Sequence, residues 1–165
     1  MRTKTHLWLL GAFCILSPIS NGNAQSARWT ELTKAGHRAF ERQQLAEAEK
    51  QFKAALKDAQ RSGHQDLHLA ESLDNLAEVY RAQNKPKEAE KLFRQSLAAR
   101  EQTLGPWRLQ VAQSLDNLAD VLSAQRKYEQ AEPLYQRARQ IRERALAAHP
   151  EHYVDGAPKP VRAPQ

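Results

Sequence analysis

Two histidines and a carboxylate lie close enough in the sequence to form a metal site. His64, His68 and Glu71 are spaced four and three residues apart, so a single helix would bring them to one face. Two imidazoles and a carboxylate at such spacing are a ligand set that can bind zinc. However, Gly63 precedes the first histidine, and Gln65 stands where the His-Glu-x-x-His motif has glutamate. A polar turn is therefore the favoured interpretation, and a small metal-dependent enzyme is the open alternative.

Other catalytic motifs are absent from the sequence. No serine stands in a Gly-x-Ser-x-Gly turn, and no glycine-rich loop is suited to hold a phosphate. The only cysteine, Cys14, falls in a segment predicted to be removed, so the mature chain would have no thiol for nucleophilic or metal chemistry. The sequence therefore predicts that the protein is not an enzyme and that it uses no cofactor and no metal.

The first 24 residues have the layout of a secretory signal peptide. Arg2 and Lys4 form a basic start, residues 7–19 are almost wholly apolar, and residues 22–24 place small side chains before a cut after Ala24. The apolar run is shorter than the ~20 residues that a membrane-spanning helix needs, so export is favoured over anchoring. The mature protein is expected to be periplasmic or secreted. Loss of the two basic residues would lower its formal charge from +6 to +4.

A six-residue sequence occurs twice, 42 residues apart. Residues 72–77 and 114–119 both read Ser-Leu-Asp-Asn-Leu-Ala, and aligning 70–104 on 112–146 gives 17 identities in 35 positions without a gap. Apolar residues in each copy recur with the period of a helix, and residues 84–86 (Asn-Lys-Pro) suit a turn between two helices. Self-similarity at this period is typical of a solenoid in which helix hairpins pack on their neighbours.

The pattern of small and large residues resembles the tetratricopeptide repeat. The Leu-Ala and Tyr positions of its first helix are Leu76, Ala77 and Tyr80, and small and aromatic positions of its second helix are Ala89 and Phe93. The 42-residue period resembles the kinesin-light-chain type of this repeat. A weaker copy, at an offset of 41 residues, precedes these two.

The resemblance implies an all-α fold, a right-handed α-solenoid of three helix-turn-helix repeats. The repeats are expected at about 28–63, 67–105 and 109–148, and the proline-rich remainder, 149–165, is expected to be a disordered tail.

In tetratricopeptide folds, the first helix of each hairpin lines the concave surface. Carrying its polar positions over to the second and third repeats predicts a partner-binding groove formed by Glu71, Asp74, Asn75, Glu78, Arg81, Gln113, Asp116, Asn117 and Asp120. Five acids against one arginine make this groove acidic, although the whole protein is basic. The two asparagines are placed like those that, in this family, hydrogen-bond the backbone of a bound peptide. The alternative is a solvated polar face that binds nothing.

Basic residues are concentrated on the second helices, where acids interleave with them, and this favours surface ion pairs over a nucleic-acid stripe. The sequence thus predicts an exported adaptor that binds a segment of another protein, one that contains lysine or arginine, and no nucleic acid. Three alternatives remain open. They are a structural subunit of an envelope complex, contact between the arginine-rich helix of the third repeat and a membrane surface, and a homodimer through an uncovered apolar side of that repeat.

Overall fold

Six α-helices make up nearly all of the described structure. The computed structural model describes residues 21–61, 67–148, 153–154 and 157–158, with side chains over 26–61 and 67–148. The helices are α1 (Asn21–Glu41), α2 (Leu45–Arg61), α3 (Leu67–Ala82), α4 (Pro86–Leu104), α5 (Leu109–Ala124) and α6 (Tyr128–Ala148). Two short antiparallel strands follow, β1 (Tyr153–Val154) and β2 (Ala157–Pro158).

The helices pair in sequence as three hairpins, and each hairpin packs on the next. The prediction of an all-α repeat solenoid is therefore confirmed. The predicted signal segment up to residue 20, His64 and most of the predicted tail lie outside the described residues. Among the helices that the structure describes, none has both the length and the hydropathy of a membrane span.

All three hairpins turn through a residue with a left-handed backbone. Gln43, Asn84 and Arg126 have φ angles of 60°, 58° and 62° and occupy equivalent positions in the repeats. The next amide of each turn then bonds back across the helix end, as in the 2.8 Å bond from the Lys85 N–H to the Tyr80 carbonyl. Asn adopts this conformation readily, whereas Gln and Arg do so at a cost of ~1–2 kcal/mol. Packing of the hairpin, rather than the turn residue, therefore fixes the turn.

Small residues let the two helices of each hairpin approach closely. Ala77 and Ala119 are fully buried, and the equivalent position of α1 is Gly36. A Cβ atom added to Gly36 would lie 2.5 Å from Cε1 of Phe52, whose ring is 2% exposed. Because that ring is enclosed in the core, the first hairpin needs glycine where the other two tolerate alanine.

Equivalent glutamates join neighbouring hairpins. On α2, Glu49 accepts a 2.8 Å hydrogen bond from the side-chain amide of Gln83, the residue directly after α3. One repeat later, Glu90 accepts bonds from Gln125 (2.6 Å) and from Lys127 (2.8 Å). Burial raises the pKa of Glu90, but hydrogen bonds from Lys127, Gln125 and Arg94 outweigh it and lower the pKa to about 2. The glutamate is therefore ionised and acts as an acceptor that fixes the register between hairpins.

Both ends of the array carry charged residues at positions that are apolar in the internal interfaces. Leu56 and Leu97 pack between hairpins, and the equivalent position of α6 is the exposed Arg139. At the other end, the exposed Arg38 of α1 stands where α3 has the buried Val79. Polar outer faces are what terminal repeats of a solenoid require. Arg139 thus places a charge at one position of the outer face of the third repeat, and a homodimer through that repeat stays a prediction.

Candidate partner-binding groove

The predicted groove residues lie on one face of α3 and one face of α5. Their spacing of three or four residues brings them to neighbouring positions along each helix. The first helices of the first two hairpins lie side by side, since α1 contacts α3 directly as well as its own hairpin partner. Arg81, Gln113 and Asp120 are exposed, whereas the other six residues are partly buried: Glu71, Asp74, Asn75, Glu78, Asp116 and Asn117.

Asp74, one of the predicted groove residues, is mostly buried and already has a partner within the protein. Its side chain is 13% exposed and forms an ion pair with Arg100 of α4, which is also 13% exposed. The Arg100 guanidinium donates further hydrogen bonds to Ser96 (3.1 Å) and to Ser114 of the next hairpin. The Ser96 hydroxyl in turn donates to the Ala70 carbonyl at 3.1 Å. Asp74 therefore belongs to a polar network that joins α3, α4 and α5.

Burial dominates the electrostatics of this network. It raises the pKa of Asp74, and the attraction of Arg100 opposes that rise. Among the described atoms, Oδ1 of Asp74 is buried without a hydrogen-bond partner. The carboxylate thus depends on Arg100, since an ionised group buried without its counter-ion is strongly destabilising.

The third repeat contains the same pair in a more exposed form. Asp116 of α5 pairs with Arg142 of α6, and the two side chains are 28% and 49% exposed. In the first repeat, the two equivalent positions hold Thr33 and Ala59, which are both buried. Sequence reasoning missed these pairs, although an aspartate and an arginine 26 residues apart recur at the repeat offset of 42.

The remaining acids of the groove differ in whether a cation already neutralises them. Glu78 is paired with Arg81 of the same helix at 2.5 Å. Asp120 accepts a 2.6 Å hydrogen bond from the Tyr135 hydroxyl, which raises the pKa of Tyr135. Within the described residues, Glu71 and Asp120 form no ion pair. These two carboxylates are therefore the ones that a cationic ligand could pair with directly.

Amide side chains lie between these acids. Asn75 and Asn117 are partly buried and Gln113 is exposed. The Nδ2 atom of Asn75 is buried without an acceptor among the described atoms, which is unfavourable for an amide donor. This nitrogen could therefore reach a bound backbone only after a rotation of the side chain.

His68, one of the predicted metal ligands, packs against an aromatic ring. Its imidazole stacks on Trp29 of α1, with ring centroids 4.0 Å apart, and the Trp29 indole donates a 2.8 Å hydrogen bond to Ser72. His64 lies outside the described residues. No cluster of three metal-ligating side chains occurs in the part of the chain that the structure describes. His68 thus contributes to the contact between α1 and α3.

The fold and this site define a helical-repeat scaffold, and the sequence comparison gives its family. The tetratricopeptide repeat profile matches residues 27–102 and 88–144, so this protein belongs to the tetratricopeptide repeat family. Similar solved structures include BtubC (BKLC) from P. vanneervenii, which is 17% identical, with a TM-score of 0.48 over 86% of this chain and 70% of that chain. Comparison with curated protein sequences gives no match.

Proposed function

We propose that this protein is an exported adaptor that binds a segment of another protein along the polar face of α3 and α5. Tetratricopeptide repeats are non-catalytic scaffolds that generally bind proteins or peptides, and solenoids use surfaces built from successive repeats for this purpose. The observation that carries the proposal is the unneutralised charge of Glu71 and Asp120 on the face that also presents Asn75, Gln113 and Asn117.

The charge of this face selects the chemistry of the ligand. Asp74, Glu78 and Asp116 already have arginine partners within the protein, so the ligand gains most from pairing with the two free acids. A segment that carries two basic residues, lysine or arginine, can pair with both. Charge complementarity of this kind acts mainly on association rate and specificity, so binding should weaken as salt rises.

Selection of random dodecapeptides by display on the folded protein tests the binding proposal. The enriched peptides should contain lysine or arginine and should bind Glu71→Gln/Asp120→Asn more weakly. At ~0.2–1 kcal/mol for each exposed ion pair, the double variant should lose about 2- to 30-fold in affinity. Asp120→Asn keeps an oxygen that can accept the bond from the Tyr135 hydroxyl, which favours an unchanged fold.

The matched control is Arg139→Gln, which changes an exposed charge on the second helix of the last hairpin. It should leave the affinity unchanged. Enrichment of acidic peptides, or a loss of affinity in the control and not in the double variant, would count against the proposed surface.

Export rests on the amino-acid pattern of the first 24 residues and has its own test. After expression in a Gram-negative host, the protein released by osmotic shock should begin at Gln25, as read by N-terminal sequencing. An intact N-terminus in the membrane fraction would establish anchoring instead.

A further inference from the structure

An open cleft lies where the start of α5 meets the end of α6. Its volume is about 370 Å³, and its lining includes two large apolar side chains, two alanines and two arginines: Trp107, Leu109, Ala145, Ala148, Arg108 and Arg144. Trp107 is 50% exposed and Leu109 is 44% exposed. The Arg144 guanidinium lies over the Trp107 ring, 4.7 Å from its centroid. The cleft thus combines exposed apolar surface with positive charge.

The charge of the cleft is not balanced locally. None of the seven described residues that line it is acidic, and neither Arg108 nor Arg144 forms an ion pair with a described residue. Two of the other three arginines of α6 do form ion pairs, Arg137 with Glu101 and Arg142 with Asp116. The cleft therefore favours an occupant with carboxylates and at least one large apolar side chain.

This chemistry is not a requirement of the repeat. One repeat earlier, the positions of Trp107, Arg108 and Arg144 hold a glutamine, an aspartate and a second glutamine. Only the leucine is kept, as Leu67, which is 41% exposed. The aromatic and basic residues are thus specific to the junction beside the end of α6.

We propose that this cleft is the docking site for residues 151–155 of the same chain. This segment reads Glu-His-Tyr-Val-Asp and combines two carboxylates with two apolar side chains, the complement of the cleft. Four residues separate Ala148 of the cleft from Tyr153. At up to ~3.6 Å per residue, the two Cα atoms can therefore be no more than about 18 Å apart.

Tethering favours this occupant over an external one. A short tether holds a segment near its site at an effective concentration of about millimolar, so weak contacts suffice for occupancy. A second copy of this chain or an acidic partner would have to displace the tethered segment.

Disulfide trapping tests the docking. In a Cys14→Ser background of the full chain, Leu109→Cys/Val154→Cys places one thiol in the cleft and one in the segment. The control is Leu146→Cys/Val154→Cys, since Leu146 is also exposed near the end of α6 but does not line the cleft. Both pairs are within reach of the tether. Docking predicts an intramolecular disulfide at least ten times faster in the cleft pair, with unchanged circular dichroism.

Charge exchange separates specific docking from chance collision. Arg108→Glu/Arg144→Glu should reduce the rate of the cleft pair to that of the control pair, and adding Glu151→Arg/Asp155→Arg should restore it. Equal rates in the two cysteine pairs, or failure of the exchanged charges to restore the fast rate, would overturn the proposal. Disulfide-linked dimers as the main product would assign the cleft to a second copy and would overturn it as well.

Discussion

Replacing Arg100 by methionine should destabilise the protein far more than the same change at Arg142. The two arginines occupy equivalent positions, and each pairs with an aspartate of its own hairpin. The side chains of Asp74 and Arg100 are both 13% exposed, whereas those of Asp116 and Arg142 are 28% and 49% exposed. Removing one partner of a buried pair costs ~3–5 kcal/mol, whereas a surface pair is worth ~0–1 kcal/mol. Allowing for partial exposure at the first site, we expect a loss of about 2–4 kcal/mol for Arg100→Met and under ~1 kcal/mol for Arg142→Met.

The loss should also depend on pH with a sign that follows from burial. Burial already raises the pKa of Asp74 in the folded protein, with Arg100 opposing it, so removing Arg100 raises that pKa further. A carboxyl whose pKa is higher in the folded than in the unfolded state contributes stability below its unfolded value of ~3.9 and loses that contribution as the pH rises through the folded value. Arg100→Met should therefore be least harmful in acid, where Asp74 is protonated.

Urea unfolding followed by circular dichroism at 222 nm measures both effects. The double variant Asp74→Asn/Arg100→Met should recover part of the stability, because it no longer buries an unpaired charge, and it completes a double-mutant cycle. Equal losses in Arg100→Met and Arg142→Met, or a loss in Arg100→Met that grows as the pH falls from 7 to 4, would refute the assigned role of burial.

Three further changes have defined expectations in the same unfolding assay. Gly36→Ala should destabilise by ~1–3 kcal/mol because its Cβ would overlap the enclosed Phe52 ring; a gain in stability, as helix propensity alone would predict, would show that the ring can move. Leu76→Ala or Leu118→Ala should cost ~2–5 kcal/mol, since each side chain is 3% exposed in the core, and a variant as stable as the parent would contradict the repeat alignment. Glu90→Gln should make stability fall less as the pH is lowered. The pKa of Glu90 is depressed to about 2, so its contribution to stability is present above pH ~4.3 and is lost as the pH falls toward 2. An unchanged dependence of stability on pH in this range would contradict this.

The hairpins were predictable because their signal is local and repeated. A period of apolar residues identifies each helix, and the 42-residue copy shows that the same packing recurs. The charged residues on the outer faces of the first and last hairpins can also be predicted from the sequence, by aligning Arg139 with Leu97 and Arg38 with Val79. Seeing them required comparison of positions across repeats rather than along a helix.

Which acidic groove residues are paired and buried was harder to predict, because it depends on side chains from neighbouring helices. The helical period places Asp74 on the same face as Glu71 and Glu78, but a long arginine from α4 reaches it and withdraws it from solvent. The need for glycine at position 36 has the same origin, since it reflects how closely the Phe52 ring of α2 approaches α1. Such contacts follow from tertiary packing, which single-helix patterns do not contain.

The most direct test of the binding face is a nuclear magnetic resonance titration with a peptide selected by display. The side-chain amide groups of Asn75, Gln113 and Asn117 lie on the proposed face, whereas those of Gln136 and Gln140 lie on α6 and are exposed. Binding to the first helices predicts shifts in the three groove amides that saturate with the peptide, with the two α6 amides unchanged. Saturating shifts confined to the α6 amides would contradict the proposed groove.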